Sequence, residues 1–215
     1  RMVWKIRKRF SGLNLLKRLV YLISPNKINK KFYNNLESVL SYGNVKFFQL
    51  RLRRRKNLIK ITNKIKKITS KHKVKLIIND DFLLTLKTKA DGCHMGQLDG
   101  SIKIARKKLK NRILGVTCHN SKILAKNAIK DKVSYLAFGS FFRSKLKPNA
   151  KKANINILRW AKKNIKKPIV VIGGINNLNY KKLLKAGAKY IAISSYIWDN
   201  PKLKPGLAIR NFKWR

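Results

Sequence analysis

Two aspartates, Asp80 and Asp99, are the residues of this sequence best suited to chemistry. The chain carries seven acidic residues against 54 Lys and Arg, so a carboxylate kept beside a short apolar run calls for a local reason. Leu76, Ile77 and Ile78 end abruptly in Asn79, Asp80 and Asp81, and the short run Gly92–Met95 ends in Gly96, Gln97, Leu98 and Asp99. Two hard oxygen donors suit Mg²⁺, which takes oxygen ligands and usually shares them with a phosphate. A second reading stays open: Asp80 or Asp81 caps the helix that follows. Cations and polar groups recur at comparable places. Gln49 and Arg51 follow one apolar run, Thr117 and His119 another, and Ser144 and Lys147 lie beyond a third. Gly173 and Gly174 follow a fourth, and Ser194 and Ser195 a fifth. Glycine and serine at such places bind phosphate through backbone N–H groups. Together these residues describe an enzyme acting on phosphorylated small molecules with Mg²⁺.

Such residues meet only if the elements carrying them run parallel. Strands are expected at Leu19–Ile23, Val45–Leu50, Val74–Ile78, Gly92–Met95, Ile113–Val116, Tyr135–Phe138, Ile169–Ile172 and Tyr190–Ile193. Amphipathic helices are expected between most of them, at Lys31–Leu40, Asn57–Thr69, Phe82–Lys87, Ile102–Leu109, Ser121–Lys130, Asn154–Asn164 and Leu178–Lys185. Short apolar strands alternating with helices indicate a parallel α/β protein. Eight such units fit a compact (β/α)8 TIM barrel, whose functional groups sit at the C-terminal ends of the strands. A doubly wound open sheet is the alternative, but no G-x-G-x-x-G follows the first strand. The barrel is assigned to residues 19–215, preceded by a basic N-terminal extension, residues 1–18. The extension interleaves Val3, Trp4, Ile6 and Phe10 with cations, a pattern suited to an amphipathic helix on the barrel or on a membrane surface.

A chain of 215 residues with 44% hydrophobic residues can bury a sizeable core, which argues against disorder. No apolar run reaches the roughly 18 residues of a membrane span. Cys93 and Cys118 read as small buried residues, not as a disulfide or zinc framework. The net charge of +47 invites nonspecific binding of anions, nucleic acid or anionic membrane. Lysines spread over the polar faces of the helices favour a solvated surface instead. Trp160, Trp198 and Trp214 read as packing residues, and so does His94.

The same segments resemble the thiamine phosphate synthase family and its thiazole tautomerase relatives, over roughly Leu19 to Trp198. The carriers are QLRLR at 49–53, IINDD at 77–81, ADGCHMGQLD at 90–99, LGVTCHN at 114–120, YLAFGSFFRSKLKP at 135–148, VIGGI at 171–175 and GAKYIAISS at 187–195. The resemblance implies a cytoplasmic transferase of thiamine biosynthesis. It would join an aminopyrimidine methyl pyrophosphate to a thiazole phosphate, releasing pyrophosphate. By matching positions, Asp80 and Asp99 would hold Mg²⁺. Arg51, Asn79 and Lys147 would hold pyrophosphate, and Ser144, which keeps a hydroxyl in the same loop as Lys147, would bind substrate. Gln49 and Thr117 would lie near the pyrimidine, and Gly173, Gly174 and Ser195 at the thiazole phosphate. Arg51, Lys147 and Thr117 are the groups expected to act in catalysis. The chain departs from the family at Arg53, Leu98, Thr117, Ser144 and Leu146. Leu146 replaces a threonine with a side chain that cannot hydrogen-bond a phosphate. These departures keep a tautomerase, or a weakened binder of thiamine precursors, as the alternative, with His119 as the proton-transfer group of the former.

Overall fold

A computed structural model describes residues 18–52, 57–143 and 152–213. Eight parallel strands close into a barrel, each hydrogen-bonded to its neighbours in sequence order, with the last returning to the first. They are β1 (Val20–Ile23), β2 (Val45–Leu50), β3 (Lys75–Asn79), β4 (Gly92–Met95), β5 (Ile113–His119), β6 (Tyr135–Gly139), β7 (Ile169–Ile172) and β8 (Tyr190–Ile193). The helices between them are α1 (Lys30–Leu40), α2 (Leu58–Lys71), α3 (Phe82–Lys87), α4 (Ile102–Leu109), α5 (Lys122–Lys130), α6 (Asn156–Asn164) and α7 (Tyr180–Lys185). Two short helices, α8 (Ser195–Trp198) and α9 (Pro205–Ala208), follow β8 and were not expected from the sequence. This is the (β/α)8 barrel anticipated above. Residues 1–17, and with them nearly all of the basic extension, lie outside the described residues.

Side chains alternate across the barrel wall, as strand geometry requires. Leu22, Phe48, Leu76, Ile78, Leu114, Val116, Leu136, Phe138, Val171 and Ile191 face outward into one core shared with the helices. Tyr21, Phe47, Ile77, Tyr135, Ala137, Val170, Tyr190 and Ala192 form a second, inner core. Glycine makes room for the large inner rings. A Cβ on Gly115 would stand 1.9 Å from the Tyr135 ring. β5 runs on to His119, beyond the expected end at Val116, and its pairing with β6 shifts register between Thr117 and His119.

Short polar side chains, one of them an aspartate, cap several of the helix N-termini. Asn29, Asp81, Ser101 and Ser121 each accept a hydrogen bond from a backbone N–H of the first turn of α1, α3, α4 and α5. The far end of the barrel is tied to the C-terminal segment. The buried Asn44 side chain donates to the carbonyls of Ile209 (3.2 Å) and Phe212 (2.9 Å), and the Tyr180 hydroxyl donates to that of Lys213 (2.7 Å). Trp198 donates to the Ile23 carbonyl at 2.6 Å and packs on Phe32, and Trp160 packs against the outer core, so both serve in packing as expected. Trp214 lies outside the described residues. No helix among the described residues is long and apolar enough to cross a membrane.

Candidate active site

The C-terminal ends of the strands surround a cavity of about 710 Å³. β2 contributes Gln49 and, just past its end, Arg51. Asn79 and Asp80 come from β3 and the turn after it, and Asp99 from the loop after β4. Thr117 and His119 lie on β5, Gly173 and Gly174 follow β7, and Ser194 and Ser195 follow β8. Every expected site residue that is described therefore lines one cavity. Ser144, Leu146 and Lys147, and the departure at Arg53, lie outside the described residues.

The two aspartates after β3 have separate roles. Asp81 caps α3, its Oδ1 accepting from Leu84 N at 2.7 Å. Asp80 is not the cap. Its backbone is left-handed (φ 63°), a region Asp tolerates better than most residues, and its N–H donates to the His94 carbonyl of β4. That turn places Asp80 on the cavity wall. Asp99 is held from behind, with Oδ2 accepting from Gly96 N at 2.7 Å. No group of three His, Cys, Asp or Glu residues suited to a metal occurs among the described residues. The donor set on this rim is a pair of carboxylates. That set fits Mg²⁺, which binds through one or two carboxylates and completes its shell with water and substrate phosphates. It does not fit zinc, which takes at least three protein ligands, usually including His or Cys.

Opposite the acids, Gly173 (φ 106°) and Gly174 (φ 58°) turn the chain through conformations that favour glycine. A Cβ on Gly173 would stand 1.9 Å from Ser140 Oγ, and one on Gly174 would stand 2.3 Å from the Arg143 carbonyl oxygen. The turn is braced by the Asn179 side chain, which donates to the Gly174 carbonyl at 3.0 Å. Bare backbone at this point can approach an anion closely.

The cavity floor holds groups that sequence reasoning passed over. His94 was expected to be an ordinary packed residue. It does pack, half-buried on the inner face of β4, and it also lines the cavity. Its ring stacks on Tyr135 with centroids 5.7 Å apart. Nδ1 lies 2.9 Å from the Tyr135 hydroxyl and Nε2 lies 2.8 Å from Thr117 Oγ1. Tyr135 meets the Tyr21 hydroxyl at 2.7 Å, and Gln49 Nε2 donates to Tyr21 at 3.2 Å. Burial pushes His94 down to about 4; the Asp99 charge opposes that shift and Arg51 adds to it. Burial likewise raises both tyrosines above their ordinary value. It also pushes the Cys93 and Cys118 thiols up to about 12, so both cysteines are inert buried groups, as expected. His119 is exposed on the rim. Leu98, beside Asp99, is 98% exposed and supplies no ligand.

Comparison with known proteins agrees with this geometry. The family described as thiamine monophosphate synthase matches residues 20–197. The thiamine-phosphate synthase of Pelagibacter ubique is 56% identical over 200 residues, covering 92% of this chain and 97% of that protein. The thiamine-phosphate synthase of Erythrobacter litoralis is 37% identical over 187 residues, covering 84% and 88%. Among solved structures, the thiamine phosphate pyrophosphorylase of Pyrococcus furiosus superposes with a TM-score of 0.80 at 26% identity, covering 92% and 94% of the two chains. A 3-hexulose-6-phosphate synthase, at 17% identity and a TM-score of 0.64, shares the fold alone. The match spans the barrel and every rim segment described, and the chain belongs to the thiamine monophosphate synthase family.

Proposed function

We propose that this chain is a thiamine-phosphate synthase, a transferase of thiamine biosynthesis acting on phosphorylated small molecules at this cavity. Its substrates are the aminopyrimidine methyl pyrophosphate and the thiazole phosphate. The observation that carries the reading is one cavity holding a carboxylate pair and Arg51 together with a glycine turn suited to phosphate. In the reaction the bond between the pyrimidine methylene and the pyrophosphate oxygen breaks, and its electron pair leaves with pyrophosphate. The thiazole nitrogen then supplies the pair for the new C–N bond.

The chain's groups fit these steps without a protein nucleophile. Asp80 and Asp99 would hold Mg²⁺, which when bound neutralises charge on the leaving pyrophosphate. Arg51 and Asn79 would bind that same group, where fixed cationic and polar donors favour the departing charge more than the bound substrate. Gln49 and Thr117 would orient the pyrimidine over the cavity floor. Gly173, Gly174 and Ser195 would hold the thiazole phosphate so that the ring nitrogen faces the methylene, which turns a bimolecular encounter into a positioned one. The carboxylate pair favours the synthase over a tautomerase, which has neither metal nor pyrophosphate to hold. We place the enzyme in the cytoplasm, among the phosphorylated metabolites it consumes. We assign the charge of +47 to a solvated surface, so that nucleic acid held at low salt should be released near physiological ionic strength.

The test is formation of thiamine phosphate from both substrates with Mg²⁺, beside complementation of a thiamine auxotroph. Asp80→Ala and Asp99→Ala should each lose most turnover. Full activity of both variants in the presence of a chelator would remove the metal from the reading.

A further inference from the structure

The hydrogen bonds beneath the cavity form a continuous chain. Gln49 on β2, Tyr21 on β1, Tyr135 on β6, His94 on β4 and Thr117 on β5 are linked in that order. Gln49 Nε2 donates to the Tyr21 hydroxyl at 3.2 Å. Tyr21 and Tyr135 are both buried, and each hydroxyl has one proton to place. If Tyr135 donated to Tyr21, Tyr21 would receive two donors and its own proton would have no acceptor among the described residues. Leaving a buried donor unsatisfied costs about 1–3 kcal/mol. The Tyr21 proton therefore goes to Tyr135, across 2.7 Å, and the Tyr135 proton goes to His94 Nδ1, across 2.9 Å.

We propose that this chain fixes the His94 proton on Nε2 and so makes Thr117 a hydrogen-bond donor into the cavity, matching a substrate ring nitrogen beside an amino group. Nδ1 accepts from Tyr135, so the imidazole N–H sits on Nε2 and points at Thr117 Oγ1, 2.8 Å away. Thr117 receives that bond, and its own hydroxyl proton is directed to the cavity that it lines. The Thr117 carbonyl is meanwhile held by Gln97 Nε2 at 2.5 Å, which fixes the strand. Gln49 spends one amide N–H on Tyr21 and keeps Oε1 as an acceptor. One wall thus offers a donor and the other an acceptor, which complements an aminopyrimidine edge. The identity of the substrate rests on the function proposed above; the placement of the protons rests on the Gln49 amide donating to Tyr21 and on the heavy-atom distances. Tyr21, Tyr135 and His94 act as positioning residues through Thr117 and Gln49.

Nitrogen NMR of the ¹⁵N-labelled protein tests the proton placement without any turnover. The chain has three histidines, and His94→Gln assigns the signal. His94 should show a pyridine-like Nδ1 and a pyrrole-like Nε2, and Tyr135→Phe should shift it toward the other tautomer. A protonated Nδ1 in the unmodified protein overturns the proposal. Kinetics test the specificity. Losing one hydrogen bond of about 1.4 kcal/mol, Tyr135→Phe should raise KM for the pyrimidine pyrophosphate about tenfold. KM for the thiazole phosphate should stay within about twofold. Thr117→Ser should keep the low pyrimidine KM and Thr117→Val should lose it. Equal rises in both KM values, or none, overturn the specificity role. Absence of turnover in the unmodified protein would defeat the proposed function while leaving the NMR result to decide the tautomer.

Discussion

Gly173→Ala separates two costs that the glycine turn after β7 combines. Gly173 has φ 106°, and a Cβ there would meet Ser140 at 1.9 Å from Oγ and 2.7 Å from Cα. Gly43 offers a control. It has φ 86°, lies between α1 and β2 away from the cavity, and would place a Cβ with nothing within 4 Å. Alanine at Gly43 should cost only the left-handed backbone penalty, about 1–2 kcal/mol. At Gly173 the same penalty is joined by an overpacking cost of about 1–3 kcal/mol, since Ser140 Cα is backbone and cannot swing aside, giving about 2–5 kcal/mol in all. For a chain of this size each kcal/mol lowers Tm by about 2–4 °C, so Tm should fall about 2–8 °C for Gly43→Ala and about 4–20 °C for Gly173→Ala. Thermal unfolding followed by circular dichroism reads both. Thiazole phosphate KM should rise in the Gly173 variant and stay unchanged in the Gly43 variant. Equal losses of Tm, or an unchanged thiazole phosphate KM in Gly173→Ala, would refute the account of this turn.

Asp81→Ala should remove the α3 cap and cost about 0.5–2 kcal/mol in urea unfolding. It should leave Mg²⁺-dependent turnover largely intact; loss of turnover as deep as that of Asp80→Ala would mean that the two aspartates have been assigned the wrong way round. His94 has a folded value of about 4, below the ordinary 6.5, so as pH falls the unfolded chain takes up its proton first. Its contribution to stability is therefore complete above about pH 6.5 and lost between there and about pH 4, a difference of about 3 kcal/mol. Denaturant titrations across that range, with chelator present, should show a flatter pH profile for His94→Gln. Parallel profiles for the two proteins would count against the burial of an uncharged ring.

Much of this was legible in the sequence because barrel strands end abruptly. Apolar runs such as Leu76–Ile78 stop at polar residues, and parallel order sends all those ends to one rim. Gln49, Arg51, Asn79, Asp80, Asp99, Thr117, Gly173, Gly174 and Ser195 could be placed on that logic, and all of them line the cavity. The choice between Asp80 and Asp81 as the cap was not legible. Both precede α3, and only the left-handed backbone at Asp80 separates their directions. The Tyr21–Tyr135–His94 chain was not legible either. Its members come from three strands and face one another only once the barrel is closed, so each alone reads as a packing residue. The pairs they make lie 114 and 41 residues apart in sequence.

The tie between Asn44 and the C-terminal segment bears on the order of events during synthesis. Asn44 must wait for the carbonyl of Phe212, 168 residues later, and β1 must wait for β8 to complete the ring. At about 5–20 residues per second on the ribosome, the wait for Phe212 is roughly 10–30 s. Throughout it the growing sheet shows two open parallel edges, the surfaces most prone to join with those of other nascent chains. Each such chain also carries a dense excess of lysine, and like charge keeps neighbours apart. The lysines outside the cavity would by the same repulsion oppose edge-to-edge joining until β8 arrives to close the ring.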